Sequence, residues 1–216
     1  MCLRKYVPHA TVCVCELDPT IVGIAERCFG FRQDERMRVV IGDGLDVVQA
    51  LADAASSNAA AAGALDVSTV RPHCPFDVIV LDVDNKDPKV GMSCPPQAFV
   101  ERDYLISLKS ILKPNGLLAV NVAARSATIF QQAVSNSAGA FGEQQVLTVR
   151  ATADDVNTVV FASNSDPAQS ASRPSLAVVT DWLQQVREPG DPLGLQALAT
   201  RIELYVRQSE PARRRK

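Results

Sequence analysis

The sequence predicts an α/β domain built around a mostly parallel, twisted sheet, and three observations carry that expectation. Short β-branched runs alternate with longer stretches of helical apolar period, the pattern of βαβ units. Strands expected at 11–15, 37–41 and 76–81 each run into an acidic residue, Glu16, Asp43 and Asp82. Two apolar runs late in the chain, 145–150 and 157–162, lie close enough in sequence to pair as an antiparallel hairpin at one edge.

Taken in order, the first strand ends in Glu16-Leu17-Asp18-Pro19 and is followed by a helix from about Thr20 to Phe29. Ile21, Ile24, Ala25 and Cys28 are spaced to form one buried face of that helix. The second strand closes in Gly42-Asp43-Gly44, and a helix over about 45–54 turns Val47, Val48 and Leu51 inward. Residues 55–75, with an alanine run, Gly63 and Pro72, read as a low-complexity insertion in a helix-to-strand connection. The strand at 76–81 is the most hydrophobic, and its near-continuous apolar character predicts a central position covered on both faces.

Beyond the loop through Gly91, Pro95 and Pro96, a helix is expected over 98–112 with Phe99, Leu105, Leu108, Ile111 and Leu112 on its apolar side. Lys113-Pro114-Asn115-Gly116 stops it, a strand covers 117–122, and Ser126 opens another helix to about Ala138. The domain organisation expected is a core over 1–163, a linker over 164–174, and a helical extension with a basic tail over 175–216. In that extension, Trp182, Leu183, Leu198, Ile202 and Leu204 are expected to be packing anchors, with a partner-binding role as the alternative.

Composition narrows the function. With 216 residues, 47% of them hydrophobic and 21% charged, the chain can bury a sizeable core. A formal net charge of -2 gives no pull toward nucleic acid or an anionic membrane, and neither is expected as a partner. No apolar stretch reaches the roughly 18 residues of a membrane span, and no secretory signal opens the chain. The six cysteines (Cys2, Cys13, Cys15, Cys28, Cys74 and Cys94) have no CxxC pairs, and His9 and His73 are the only histidines. Reduced thiols in a cytoplasmic protein are expected, and no metal site.

Ligands of open α/β sheets bind beyond the carboxyl ends of the strands, where Glu16, Asp43 and Asp82 fall. A strand-end carboxylate can accept from both hydroxyls of a ribose, and another from the exocyclic amine of adenine, since an ionised acid offers only acceptors. Each acid also has a plainer role open to it: Glu16 and Asp18 could cap the helix near Thr20, and Asp43 the helix near Leu45. Asp82-Val83-Asp84-Asn85-Lys86-Asp87-Pro88 is the most polar loop after a buried strand, and alternation puts Asp82 and Asp84 on one side. Such a pair could orient a substrate amine and accept its proton, or could bind a divalent cation, or the loop could be held by Asx-turns and a Lys86 ion pair.

At these residues the sequence resembles a known family. Glu16-Leu17-Asp18-Pro19, Phe29-Gly30-Phe31, Arg36-Met37-Arg38-Val39, Gly42-Asp43-Gly44-Leu45-Asp46 and the Asp82–Pro88 loop occur in its order and spacing, as do Gly91-Met92-Ser93-Cys94-Pro95-Pro96 and Phe99-Val100. The family is the elongation factor 1-alpha lysine and N-terminal methyltransferases, and the resemblance is to their C-terminal domain, well over about residues 8–125 and loosely beyond.

The resemblance implies a spermidine-synthase-like, Rossmann-like class I methyltransferase fold with S-adenosylmethionine as methyl donor. Methyl transfer needs no divalent cation. It implies that Glu16 holds the ribose, that Asp43 with Gly44 holds the adenine, and that Asp82 and Asp84 face the amine as catalytic residues, Asp82 also lying against the cofactor. It implies further that Asn85, Pro95 and Pro96 shape the substrate channel, and that the substrate is a protein, translation elongation factor 1-alpha at its N-terminal amine. Homodimerisation is left open. The family pattern has a glycine-rich turn after a first strand, about 20 residues before the first acidic strand end; Glu16 lies too early for that, and no glycine precedes Gly23. The domain is therefore expected to lack its first strand, with the sheet interrupted between the strands ending at Glu16 and Asp82. Two other readings share the residues: a polyamine aminopropyltransferase of the same fold, and a truncated binding module without turnover. A nicotinamide oxidoreductase fits poorly, because there is no GxGxxG.

Overall fold

The computed structural model describes residues 7, 9–56, 65–85, 91–150 and 156–165. The elements are β1 (Val12–Glu16), α1 (Pro19–Cys28), β2 (Met37–Ile41), α2 (Gly44–Ala55), β3 (Phe76–Leu81), β4 (Met92–Cys94), α3 (Arg102–Ser110), β5 (Leu112–Ala124), α4 (Ala127–Phe141), β6 (Val146–Val149) and β7 (Asn157–Ser163). This is the alternating α/β architecture the sequence predicts. The described residues divide into two compact units, one holding β1, α1, β2, α2 and residues 106–113, the other holding 77–105 and the described residues from 114 onward.

In the first unit β1 and β2 pair in parallel, from Val12 opposite Met37 to Glu16 opposite Ile41. Helix α2 follows the expected period, with Val47, Val48 and Leu51 buried. Helix α1 forms where the sequence places it, with Asp18 as N-cap and Pro19 at its first turn, but it buries none of its residues. Ile21 is 45% exposed and Ile24 37%. Two strands about 4.8 Å apart make a platform narrower than a helix about 10 Å across, so this sheet cannot cover the apolar stripe of α1.

The second unit has the strand order β3-β5-β7-β6, with β4 also paired to β5. β5 and β7 run antiparallel from Leu117 opposite Ser163 to Ala123 opposite Asn157. β6 and β7 form the expected antiparallel pair at one edge, Val146 opposite Ala162. β1 and β3 thus belong to separate sheets among the described residues, which is where the sequence expects the interruption.

β3 departs from expectation in its environment. It ends the strand path instead of sitting centrally, and Val78 and Val80 are 55% and 63% exposed. Hydropathy reports how apolar a strand is and not which neighbours reach it. β5 is the strand that holds the middle, with Leu118 and Val122 fully buried and Val120 nearly so.

Three further differences are local. The expected helix over 98–112 is a 3-10 turn, Gln97–Val100, followed by α3, because Glu101 between them is extended at ψ 143°. All five of its predicted apolar residues are nevertheless buried. β5 begins at Leu112, so 113–116 lie within the strand, with Asn115 alone in the left-handed region at φ 63°. Residues 65–75, expected as loose insertion, contain a 3-10 turn at Arg71–His73 and a buried Val70. The alanine run, the Lys86–Pro88 part of the acidic loop, the linker beyond residue 165, and the helical extension and basic tail lie outside the described residues. Among the described residues no helix is long and apolar enough to cross a membrane.

Replacing Leu118, fully buried in β5, by alanine is expected to cost about 2–5 kcal/mol in urea unfolding. Val80→Ala, on the exposed face of the more hydrophobic β3, is expected to cost less than about 1 kcal/mol. Equal losses would mean that the exposed face of β3 is covered in solution.

Candidate functional site

The strand-end acids fall into two sets, one in each unit. In the first, the parallel register brings the carboxyl ends of β1 and β2 side by side, and the Gly42 N–H donates to the Glu16 carbonyl at 2.9 Å. The half-buried Glu16 side chain accepts from the Asp18 N–H through Oε1 at 3.0 Å. Asp18 accepts from the Thr20 N–H at 2.8 Å and caps α1; that bond holds its carboxyl below the usual range. Asp43 caps α2 through Oδ1, accepting from the Leu45 N–H at 2.9 Å. Capping is therefore the role of Asp18 and one role of Asp43, whereas Glu16 braces the residue that caps. A carboxylate has about four lone-pair sites, so one backbone bond leaves most of its accepting capacity.

Cys15 reports how these two acids sit. Its thiol donates to the Gly42 carbonyl at 3.4 Å. Partial burial of the sulfur, then the negative charges of Asp43 and Glu16, push the thiol up to about 11. Both strand-end acids are thus near enough for their charge to be felt at the sulfur. Gly42 lets the Leu65 side chain pack close to the backbone there, since a Cβ on it would sit 3.0 Å from Leu65 Cδ1. Gly44 is the first residue of α2. These acceptors suit a ligand that presents donors, and a nucleoside does so with its ribose hydroxyls and exocyclic amine. The residues present fit the nucleoside part of S-adenosylmethionine.

The second set follows β3. The strand ends at the buried Leu81, and Asp82, Asp84 and Asn85 are exposed in irregular backbone. Strand alternation accordingly does not govern Asp82 and Asp84, contrary to the sequence argument for their common side. The loop is fixed from across: the Asn85 N–H donates to the Ser93 carbonyl of β4 at 2.8 Å. The Arg125 N–H donates to the Gly91 carbonyl at 2.9 Å, and a Cβ on Gly91 would overlap Ile129. A larger residue there would require the Ile129 side chain to move. Pro95 is fully buried and can shape a channel only from within the loop, whereas Pro96 is half-exposed and opens the 3-10 turn.

Two residues at this set were not singled out by the sequence. Asn121 Nδ2 donates to Asp82 Oδ1 at 2.9 Å, and Cys94 Sγ lies 3.8 Å from the same oxygen. An asparagine inside the apolar strand 117–124 was the available signal.

An alternating α/β fold with acids at its strand ends defines a Rossmann-like, nucleoside-binding class of protein. No family model matches the chain. It is 35% identical over 189 residues to the human eEF1A lysine and N-terminal methyltransferase, matching 87% of this chain and 24% of that protein. The zebrafish (Danio rerio) protein of the same name is 39% identical over 127 residues, 59% of this chain and 16% of that one. The crystal structure of human methyltransferase-like protein 13 in complex with SAH aligns with a TM-score of 0.64 at 31% identity, covering 91% of this chain and 81% of that one. A spermidine synthase from Thermotoga maritima, at 17% identity and TM-score 0.54, covering 94% of this chain and 61% of that one, shares the fold. The chain belongs to the family of methyltransferase-like protein 13, the eEF1A lysine and N-terminal methyltransferases. It spans 24% of the length of the human relative.

The Cys15 environment gives a direct check on the first set. Iodoacetamide alkylation of Cys15 is expected to rise about tenfold per pH unit between pH 8 and pH 10, because only the thiolate reacts. Asp43→Asn keeps a capping residue but removes a charge, and should speed that alkylation a few-fold at pH 8. An unchanged rate in the variant would place Asp43 away from the thiol.

Proposed function

We propose that this chain is part of an S-adenosylmethionine-dependent protein methyltransferase whose substrate is the N-terminal amine of translation elongation factor 1-alpha. The observation that carries the cofactor assignment is the parallel pairing of β1 and β2, which sets Glu16 opposite Ile41 and beside the Gly42-Asp43 turn, so that two acids follow adjacent strand ends. Family membership supports the reaction, and the name of the relatives supports the substrate. Bound S-adenosylmethionine supplies an electrophilic methyl group on a sulfonium.

The chain's own residues have separable tasks in this reading. Glu16 accepts from the ribose hydroxyls, held for it by the Asp18 N–H. Asp43, with Gly44 beside it, accepts from the adenine amine through capacity its capping bond leaves unused. Asp82 and Asp84 attract and orient the acceptor amine and take its proton, since an amine must be neutral to attack carbon. Asn85 and the loop of Pro95 and Pro96 line the approach of the peptide.

Calorimetric titration of the chain with S-adenosylmethionine and S-adenosylhomocysteine, with mass spectrometry of an N-terminal elongation factor peptide, tests this directly. Micromolar binding and a mass gain of one or more methyl groups are expected. Glu16→Ala should weaken cofactor binding by about tenfold or more, the loss of a charge-assisted hydrogen bond. Asp82→Ala and Asp84→Ala should lower turnover by about 10²-fold or more with little change in cofactor affinity. Equal losses of affinity and turnover at both sets would overturn the division of roles, and spermidine in place of a methylated peptide would replace the reaction.

A further inference from the structure

Asn121 is placed at a cost. It sits in the middle of β5, in Leu117-Leu118-Ala119-Val120-Asn121-Val122-Ala123-Ala124, between Val120 and Val122, which are 2% and 0% exposed. Asparagine is disfavoured in strand interiors, and a half-buried amide there needs a partner. That partner is Asp82, whose Oδ1 accepts from Nδ2 at 2.9 Å. A carboxylate can only accept, so the amide must present its nitrogen to Asp82.

Cys94 acts on the same oxygen. It is buried in β4, paired opposite Ala123 of β5, with its thiol 3.4 Å from the Asn121 carbonyl oxygen and 3.8 Å from Asp82 Oδ1. Burial and then the charge of Asp82 push that thiol up to about 11, so near neutral pH it remains an S–H and a donor. Three strands thus converge on one carboxylate oxygen: Asp82 follows β3, Cys94 ends β4, and Asn121 sits in β5. The Asn121 bond ends on Oδ1, and the single Cys94 S–H, shared between that oxygen and the nearer Asn121 carbonyl, lies on the same side. Asp82 is itself exposed and lies in irregular backbone, so these bonds are what select its rotamer.

We infer that Asn121 is a positioning residue for methyl transfer, gripping Oδ1 of Asp82 so that Oδ2 is turned to the incoming amine. The inference rests on the reading that Asp82 faces the acceptor amine. It differs from that reading in predicting an effect at a residue that touches neither cofactor nor substrate. Orientation alone can be worth about tenfold to a hundredfold when a catalytic group is displaced by an ångström.

The test measures kcat and KM for the elongation factor peptide, the Kd of that peptide in the presence of S-adenosylhomocysteine, the Kd of S-adenosylhomocysteine itself, and Tm. Asn121→Ala is expected to lower kcat about tenfold and weaken the peptide, with S-adenosylhomocysteine affinity within about twofold of wild type. Asn121→Asp sets a second carboxylate against Asp82 and should lower kcat further. Exchanging the pair, Asp82→Asn with Asn121→Asp, rebuilds one N–H···O bond in the opposite sense. Its Tm should return toward wild type while its kcat stays at the level of Asp82→Asn alone.

Turnover and peptide affinity within about twofold of wild type in Asn121→Ala, while Asp82→Ala abolishes both, would overturn the inference and leave the catalytic reading standing. Full activity in Asp82→Ala, or no turnover and no peptide binding by the wild-type chain, would overturn both. Parallel losses of S-adenosylhomocysteine affinity and kcat in Asn121→Ala would make Asn121 a support of the cofactor instead.

Discussion

The pairing of β5 on several sides is the constraint on which the second unit depends. β5 hydrogen-bonds to β3, β4 and β7, and its alternation buries Leu118, Val120 and Val122 on one face. A one-residue slip would turn those three side chains outward and move Asn121 to the opposite face. The register with β7, unbroken from Leu117 to Ala123, prevents that. The same hydrogen bonds that stabilise the sheet thereby place a donor under Asp82. Packing and the geometry of the acidic loop have one cause.

In the first unit the same economy is visible at the helix starts. Asp18 and Asp43 satisfy backbone N–H groups that an α-helix leaves unpaired, which any helix of this length requires. The parallel pairing of β1 and β2 then sets Glu16 opposite Ile41, beside the turn that leads to Asp43. A carboxylate fixed by a cap is already oriented before a ligand arrives, so less side-chain freedom is lost on binding. Cys15, held as a thiol by partial burial and then by those charges, is a structural neighbour of the acids and not a nucleophile at neutral pH.

Much of this was legible in the sequence because the signals are local. The inward residues of α2, Val47, Val48 and Leu51, follow from a helical period and nothing else. The antiparallel partners β6 and β7 follow from two apolar runs that lie close together in sequence. Elsewhere local signals misled. The apolar run of β3 reads identically in a central strand and at the end of a path, and Val78 and Val80 proved exposed. Ile21 and Ile24 have the spacing of a buried face, but a two-stranded sheet is too narrow to bury it. The 98–112 helix kept its apolar residues and lost its continuity, because Glu101 is extended between two turns of different pitch.

The sequence by itself determined the alternation of strands and helices, the acids at the strand ends, and the family to which those motifs belong. Each is a matter of which residue follows which within a few positions. The tertiary structure alone decided which lone pairs of those acids are occupied, and by what. The Asn121 amide reaches Asp82 across 39 positions, and the Cys94 thiol reaches the Asn121 carbonyl across 27. No periodicity extends that far. Hydrogen bonds between strands are set by register, and register is a property of the assembled sheet.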